Sequence, residues 1–258
     1  MRRTDGSAAL DAAQRRAADD GVKGLIPVGR PFLAYAMSAL ADAGISDVCL
    51  VIGASPEHRR VRDRYAAIAT ARVRIHFAIQ REPRGTADAV RVAESFAAGE
   101  HVLVVNSDNY YPVHTLRALR ELGSAGVSVF ERTALVRLGN IPAERVSHYA
   151  VVQIDRDGML ERVIEKPDAG TIASLGATSP VYVGMNSWSL PPEIYDACRR
   201  IAPSPRGELE LQDAVQYARD RLGVRFRVLV HHDGVLDLST RADIASVAER
   251  LKSVEVRL

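Results

Sequence analysis

Only two cysteines, Cys49 and Cys198, occur among the 258 residues. One lies inside an apolar strand pattern and the other in an expected helix, so they have neither metal-ligand spacing nor the density of a disulfide framework. They read as buried thiols of a reducing compartment. Long apolar runs are missing as well, none approaching the roughly 18 residues of a membrane span. No apolar segment follows the arginines of the polar start MRRTDGS, which excludes a signal-peptide pattern. Excess charge of either sign is also lacking: 34 basic against 32 acidic residues leave +2. That interspersed balance gives no footprint for nucleic acid or an anionic membrane, but a small polyanionic ligand held locally stays possible. With no repeat or low-complexity linker either, the expectation is one cytoplasmic α/β domain over residues 1–258, long enough for a large core.

What is present is organised around HVLVVNSDNYYP, residues 101–112. Val102 to Val105 form an aliphatic run typical of a strand covered on both faces, and a polar turn with Asp108 follows at once. In open α/β sheets ligands gather outside the carboxyl ends of strands, so Asp108 stands where a phosphate-bound Mg²⁺ needs an oxygen ligand. An Asx turn made by Asp108 and Asn109 explains the same residues without a ligand.

Strand and helix patterns alternate on both sides of this stretch. DAAQRRAADD predicts a short helix that buries little. Leu33, Met37 and Leu40 recur at helical spacing between Pro31 and Gly44. Residues 47–53 predict a buried strand, Ser55 and Pro56 start a helix with Val61, Tyr65 and Ile68 inside, and Val73 to Ile79 alternate toward Gln80. Thr86 can cap a helix reaching Phe96; beyond Asp108 come a helix over 113–122 and a strand over 126–130. From 131 the pieces shorten. HYAVVQID, MLERVIEKP and VYVGMNSWSL predict strands forming a wall over the crevice of the parallel sheet. PPEIYDACRRI and GELELQDAVQYARDRLG predict helices, VRFRVLV a strand, and Ile244, Val247 and Leu251 the inner face of a final helix. The sum is a three-layer α/β/α sandwich with a mixed, mostly parallel Rossmann-like sheet.

An ordered set of short motifs then carries a resemblance: Lys23 before I-P-V-G-R-P-F, Gln80 opening Q-R-E-P-R-G-T-A-D-A, Asp108 after its strand, Glu165-Lys166-Pro167, Asn186 in M-N-S-W, and Asp237 opening D-L-S-T. Six in order, over roughly residues 22–251, resemble the sugar-phosphate nucleotidylyltransferases, also called NDP-sugar pyrophosphorylases. The resemblance implies attack of a sugar 1-phosphate oxygen on the α-phosphorus of a nucleoside triphosphate, with Mg²⁺ as cofactor and pyrophosphate as leaving group. It implies Asp108 and Asp237 as the metal carboxylates, Lys23 on the phosphates, and Lys166 on the sugar phosphate. Gln80, Gly85 and Thr86 become the nucleotide-binding loop, with Gln80 reading a pyrimidine edge, hence UTP or dTTP. Glu165 and Asn186 become binders of sugar hydroxyls. Residues 22–130 form the nucleotide-binding part and 131–258 the sugar-phosphate-binding part, and a homo-oligomer is compatible with both. Each residue has a plainer explanation too: solvated lysines at 23 and 166, a local pair of Glu165 with Lys166 or Arg162, a cap on the last helix by Asp237. Trp188 reads as core or crevice wall, and Glu208 as part of a helix start.

The chain departs from the family pattern in three places. Ser107 and Ala150 stand where relatives have glycine. More consequentially, the family's opening apolar strand and G-x-G-T-R phosphate loop have no counterpart, since Gly6 and Gly21 lie too far apart and residues 1–22 form an atypical segment. Met1-Arg2-Arg3 resembles the tail of that loop. Two expectations follow: a gap between strands 47–52 and 102–105, and a rival reading in which the chain is a catalytically silent nucleotide-sugar-binding or regulatory protein.

Overall fold

The structure, a computed structural model, describes residues 10–68, 70–177 and 179–258. Met1 to Arg3 and Gly6, on which the reading of the chain's start rests, lie outside the described residues. The strands are β1 (Pro27–Val28), β2 (Arg30–Pro31), β3 (Asp47–Gly53), β4 (Arg74–Gln80), β5 (Val102–Val105), β6 (Asn109–Tyr110), β7 (Gly126–Glu131), β8 (Ala150–Ile154), β9 (Leu160–Ile164), β10 (Tyr182–Leu190), β11 (Arg227–His231) and β12 (Leu236–Asp237). The helices are α1 (Ala12–Asp20), α2 (Phe32–Asp42), α3 (Pro56–Ala66), α4 (Thr86–Val92), α5 (Glu94–Ala97), α6 (Val113–Glu121), α7 (Arg132–Leu138), α8 (Ala169–Gly176), α9 (Glu193–Arg200), α10 (Leu211–Leu222) and α11 (Asp243–Leu251).

The largest sheet is mixed, in the order β11-β7-β10-β8-β9, with β5 also paired to β10. β11 runs parallel to β7, whereas β10 runs antiparallel to β5, β7 and β8. The period of two along β7 decides which helices cover which face. Val127 and Val129 pack with α9 and α10, while Phe130 packs on the opposite face with residues of α2, α3 and α6. Two apolar clusters thus sandwich the sheet, the α/β/α arrangement expected from the alternation of patterns. A third cluster joins α11 to α2: Ile244, Val247 and Leu251 are wholly buried beside Phe32 and Ile26. Each such side chain contributes about 1.5–3 kcal/mol of burial.

Several details differ from the sequence reading. The three strand-like runs after 131 do not form a separate wall, because β10 belongs to the central sheet and carries β8 and β9 on its first half. α7 and α8, whose short sequences gave no clear helical period, were not expected. The helix read as continuous to Phe96 breaks at Ala93 into α4 and α5, and its N-cap is Gly85 rather than Thr86. β5 is half-buried along its whole length instead of covered on both faces. Its Val105 touches one cluster and its Val102 and Val104 the other, yet among the described residues it has only β10 as a neighbour. β3 is likewise paired only to β4, in a parallel ladder of its own. Among the described residues no ladder joins β3 to β5, so each presents an open edge.

Candidate active site

Just past β5 the chain makes a turn and enters β6, which pairs with β12 so that Asp237 faces Asn109. The same pairing lets the Leu238 N–H donate to the Asp108 carbonyl at 2.9 Å. Lys23, in a single 3₁₀ turn over Lys23–Leu25, donates from Nζ to Asp108 Oδ2 at 2.7 Å. Three segments distant in sequence therefore meet here. Asp237 is almost fully buried: Oδ1 accepts from Asn109 Nδ2 at 3.1 Å and Ser239 Oγ at 2.9 Å, and Oδ2 accepts from Arg145 at 2.6 Å. Its backbone is clamped on both sides by the Asn140 amide, at 2.7 and 2.8 Å. Asp237 does not cap α11. That helix begins beside Thr240, whose N–H and hydroxyl both donate to Asp243.

Burial, and after it the negative charge of Asp108, hold the Asp237 carboxyl above its usual range, against the hydrogen bond from Ser239 and the charge of Arg145. Arg145 also donates to Asp243 Oδ1 at 2.6 Å. Burial opposes its charge, but the bond to Asp243 and the surrounding negative charge keep the guanidinium protonated more firmly than usual. The donor set fits Mg²⁺, which takes oxygen ligands and usually only one or two carboxylates from the protein. A carboxylate has about four acceptor positions; three donors occupy those of Asp237, whereas Asp108 Oδ1 accepts none among the described residues.

Gln80 ends β4, and the loop behind it folds back onto its amide. Gln80 Nε2 donates to Gly85 O and to Asp88 Oδ2, both at 3.0 Å, which occupies both of its N–H groups. The expected pair of one donor and one acceptor for a base edge is therefore reduced to the acceptor Oε1. Gly85 (φ +113°) is required by the protein itself: a Cβ there would lie 2.4 Å from Leu209 O. Thr86 is also engaged internally, its hydroxyl accepting from Leu211 N–H at 2.9 Å. Asp88, buried in the first turn of α4, meets a desolvation cost but is held below its usual range by Arg91 and Gln80.

Glu165, Lys166 and Asn186 present a different state. Lys166 (φ +45°) and Asn186 (φ +53°) are two of the three non-glycine residues with positive φ among those described; the third, Ala98, only caps α5. Asn186 owes its conformation to a bulge. The β10–β7 register jumps from Gly184↔Val129 to Ser187↔Ser128, so Met185 and Asn186 have no opposite number on β7. Its Oδ1 accepts from Gln212 Nε2 at 2.9 Å, with Trp188 Nε1 at 3.5 Å. Glu165 Oε2 is fully buried with no hydrogen-bond partner, and its nearest cations, Arg206 and Lys166, stay 3.9 and 4.0 Å from Oε1. Burial, then the charge of Glu210, pushes the Glu165 carboxyl above its ordinary range. A buried acceptor without a donor costs about 1–3 kcal/mol. Trp188 is core, edge-on to Phe226 at 6.3 Å. Glu208 is exposed in the loop before α10.

Sequence reasoning missed Arg145, Asn109, Asp88 and Gln212. Asp88 and Gln212 stand inside motifs already singled out, so a carboxylate one helical turn beyond Gly85 was a usable signal. Arg145 had none, because only folding brings the 3₁₀ stretch Ala143–His148 against β12.

A family model for nucleotidyl transferases matches residues 20–250. Among curated proteins the chain is 27% identical over 201 residues to a low-salt glycan biosynthesis nucleotidyltransferase of Haloferax volcanii, covering 76% of this chain and 51% of that one. It is 29% identical over 242 residues to a glucose-1-phosphate thymidylyltransferase of Streptomyces antibioticus, covering 89% and 60%. To a UTP–glucose-1-phosphate uridylyltransferase of Streptococcus pneumoniae it is 26% identical over 242 residues, covering 80% and 78%. The chain thus spans 51–60% of the length of the first two relatives. A solved UDP-glucose pyrophosphorylase from Acinetobacter superposes with a TM-score of 0.70 at 16% identity, covering 96% of this chain and 93% of its own; this likeness is one of fold. No helix among the described residues is long and apolar enough to cross a membrane.

Proposed function

Because the chain belongs to the nucleotidyl transferase family, we propose that it transfers a nucleotidyl group from dTTP or UTP to a sugar 1-phosphate, giving an NDP-sugar and pyrophosphate. The observation that carries this reading is the meeting of residues 23, 108 and 237: a lysine 2.7 Å from one carboxylate, and a second carboxylate on the adjoining strand. Two of the relatives are named for glucose 1-phosphate and for thymidylyl or uridylyl transfer, which makes dTTP, UTP and glucose 1-phosphate the first substrates to try.

In the reaction a phosphate oxygen of the sugar 1-phosphate bonds to the α-phosphorus while the bond from that phosphorus to the pyrophosphate oxygen breaks. Positioning and charge do most of the work in such transfers. Asp108 and Asp237 would hold Mg²⁺, which when bound would supply positive charge against the phosphate oxygens. Lys23 is the fixed cation on the triphosphate side and Lys166 the one for the sugar phosphate. The Glu165 carboxylate and the Asn186 amide take sugar hydroxyls. Gln80 Oε1, its amide held by Gly85 and Asp88, accepts from a base N–H. Uracil and thymine present that donor at N3, where cytosine presents an acceptor. Residues 22–130 thus hold the nucleotide and 131–258 the sugar phosphate.

The test is pyrophosphate release with Mg²⁺ across the common nucleoside triphosphates and a set of sugar 1-phosphates. Release with dTTP or UTP well above ATP, GTP and CTP is expected. Best use of ATP or GTP would overturn the base assignment. Tight NDP-sugar binding with no release under any pairing would favour the silent binding protein instead.

A further inference from the structure

At the amino end of α6 and the carboxyl end of β11, three side chains unconnected with the proposed reaction converge. His114, His231 and Asp233 each offer one ligand atom, and these atoms lie within 4.8 Å of one another. We propose that they form a binding site for a borderline divalent transition metal, Zn²⁺ being the reference ion, that ties α6 to the segment leading into β12.

The donor set is the first argument. Two imidazoles and one carboxylate suit Zn²⁺, Co²⁺ or Ni²⁺, whereas Mg²⁺ prefers oxygen alone. The site therefore differs in kind from the Asp108/Asp237 pair. The second argument is support. His231 Nε2 lies 3.1 Å from Ser128 Oγ on the adjoining β7, and its ring packs on Phe130 at a centroid distance of 5.5 Å. Such outer partners fix the orientation of a metal-binding imidazole. Asp233 is anchored through its neighbour Gly234, which lies so close to α7 that a Cβ would meet Leu138 C at 2.3 Å. The third argument is adaptability. Bonds of about 2.0–2.2 Å put the ligands of one tetrahedral ion roughly 3–3.5 Å apart, so the cluster must contract. His114 is its exposed member, with 61% of its side chain accessible, and already sits 2.9 Å from Asp233 through Nε2. With three protein ligands, water completes the sphere.

The competing account is a surface His114–Asp233 ion pair beside an unrelated His231. A tag-free chain stripped with chelator and titrated with ZnCl₂ by calorimetry separates the two. One site per chain is expected, with His231→Gln, His114→Gln and Asp233→Asn each weakening it by at least about tenfold, and with Zn²⁺ raising the Tm of the unaltered chain but not of the variants. Co²⁺ should give the intense visible absorption of a four-coordinate nitrogen-containing site, unchanged in Asp108→Asn. His114→Gln alters only an exposed side chain and keeps the test valid if His231→Gln fails to fold. Absence of Zn²⁺ binding by the unaltered chain, equal binding by all three variants, or loss on Asp108→Asn in place of the histidine changes would each overturn the proposal.

Discussion

The two ends of the candidate active site are built on opposite terms. Around Asp108 and Asp237 negative charge is answered by Lys23 and Arg145, and the Asp237 carboxylate accepts two further hydrogen bonds, so that end is held by the protein's own donors. Around Glu165 a buried oxygen has no donor, and Lys166 and Asn186 hold backbone conformations that side-chain-bearing residues rarely adopt. Organised charge is needed wherever phosphate is to be bound, and it must survive in the free protein. Its carboxylates are therefore each paired with a cation. A pocket for neutral hydroxyls can leave an acceptor open, at a cost to folding of about 1–3 kcal/mol.

Breaking the charge-paired end should give the largest effect. Arg145→Met leaves Asp237 and Asp243 as buried carboxylates without their shared cation, so denaturant unfolding should show a loss of about 3–5 kcal/mol. A loss below about 1 kcal/mol would mean that the pairing is not what holds β12 in place. Asp108→Ala is next, and it separates function from folding. Asp108 and Lys23 are both partly accessible, so the melting temperature should change little, while Mg²⁺-dependent pyrophosphate release falls at least about 100-fold. Activity within a few-fold of the unaltered chain would remove Asp108 from the reaction.

The open end should respond with the opposite sign. The Glu165 carboxyl is held above its ordinary range by burial and by Glu210, so the folded state grips its proton more tightly than the unfolded chain does. That contribution is fully present below the unfolded pKa and is lost as pH rises through the folded one. Glu165→Gln should therefore melt higher than the unaltered chain near neutral pH, with the difference shrinking as pH falls through the raised folded pKa and gone below the usual carboxylate range, while KM for the sugar 1-phosphate rises. A variant less stable at neutral pH would show that the unpartnered oxygen carries no strain. The smallest change is Lys166→Gly. Relief of the positive φ against the added chain entropy of glycine should leave stability unchanged or raised by up to about 1 kcal/mol, again with weaker sugar-phosphate binding.

Most elements were legible because their apolar residues recur at the period of the structure they form, as in β4, α2 and α11. The short pieces α7 and α8 were not legible: α7 follows β7 with no break between them, and α8 has only Ile172 and Leu175 as large apolar residues. In the site, Lys23, Asp108, Glu165, Lys166, Asn186 and Asp237 could be singled out by residue type and order, since charged groups beside strand ends are local features of the chain. The state of each could not. Whether Gln80 offers its amide N–H groups or spends them on Gly85 and Asp88 depends on a loop closing over it. Asp237 meets Arg145 across 92 residues, and the unpaired pair Met185 and Asn186 exists only because β10 slips against β7. Sequence alone determined the family pattern, the element types and the chemical identity of the groups at the strand ends. Tertiary structure decided which of those groups are satisfied and which are left open, because hydrogen bonding, burial and backbone register depend on partners distant in the chain.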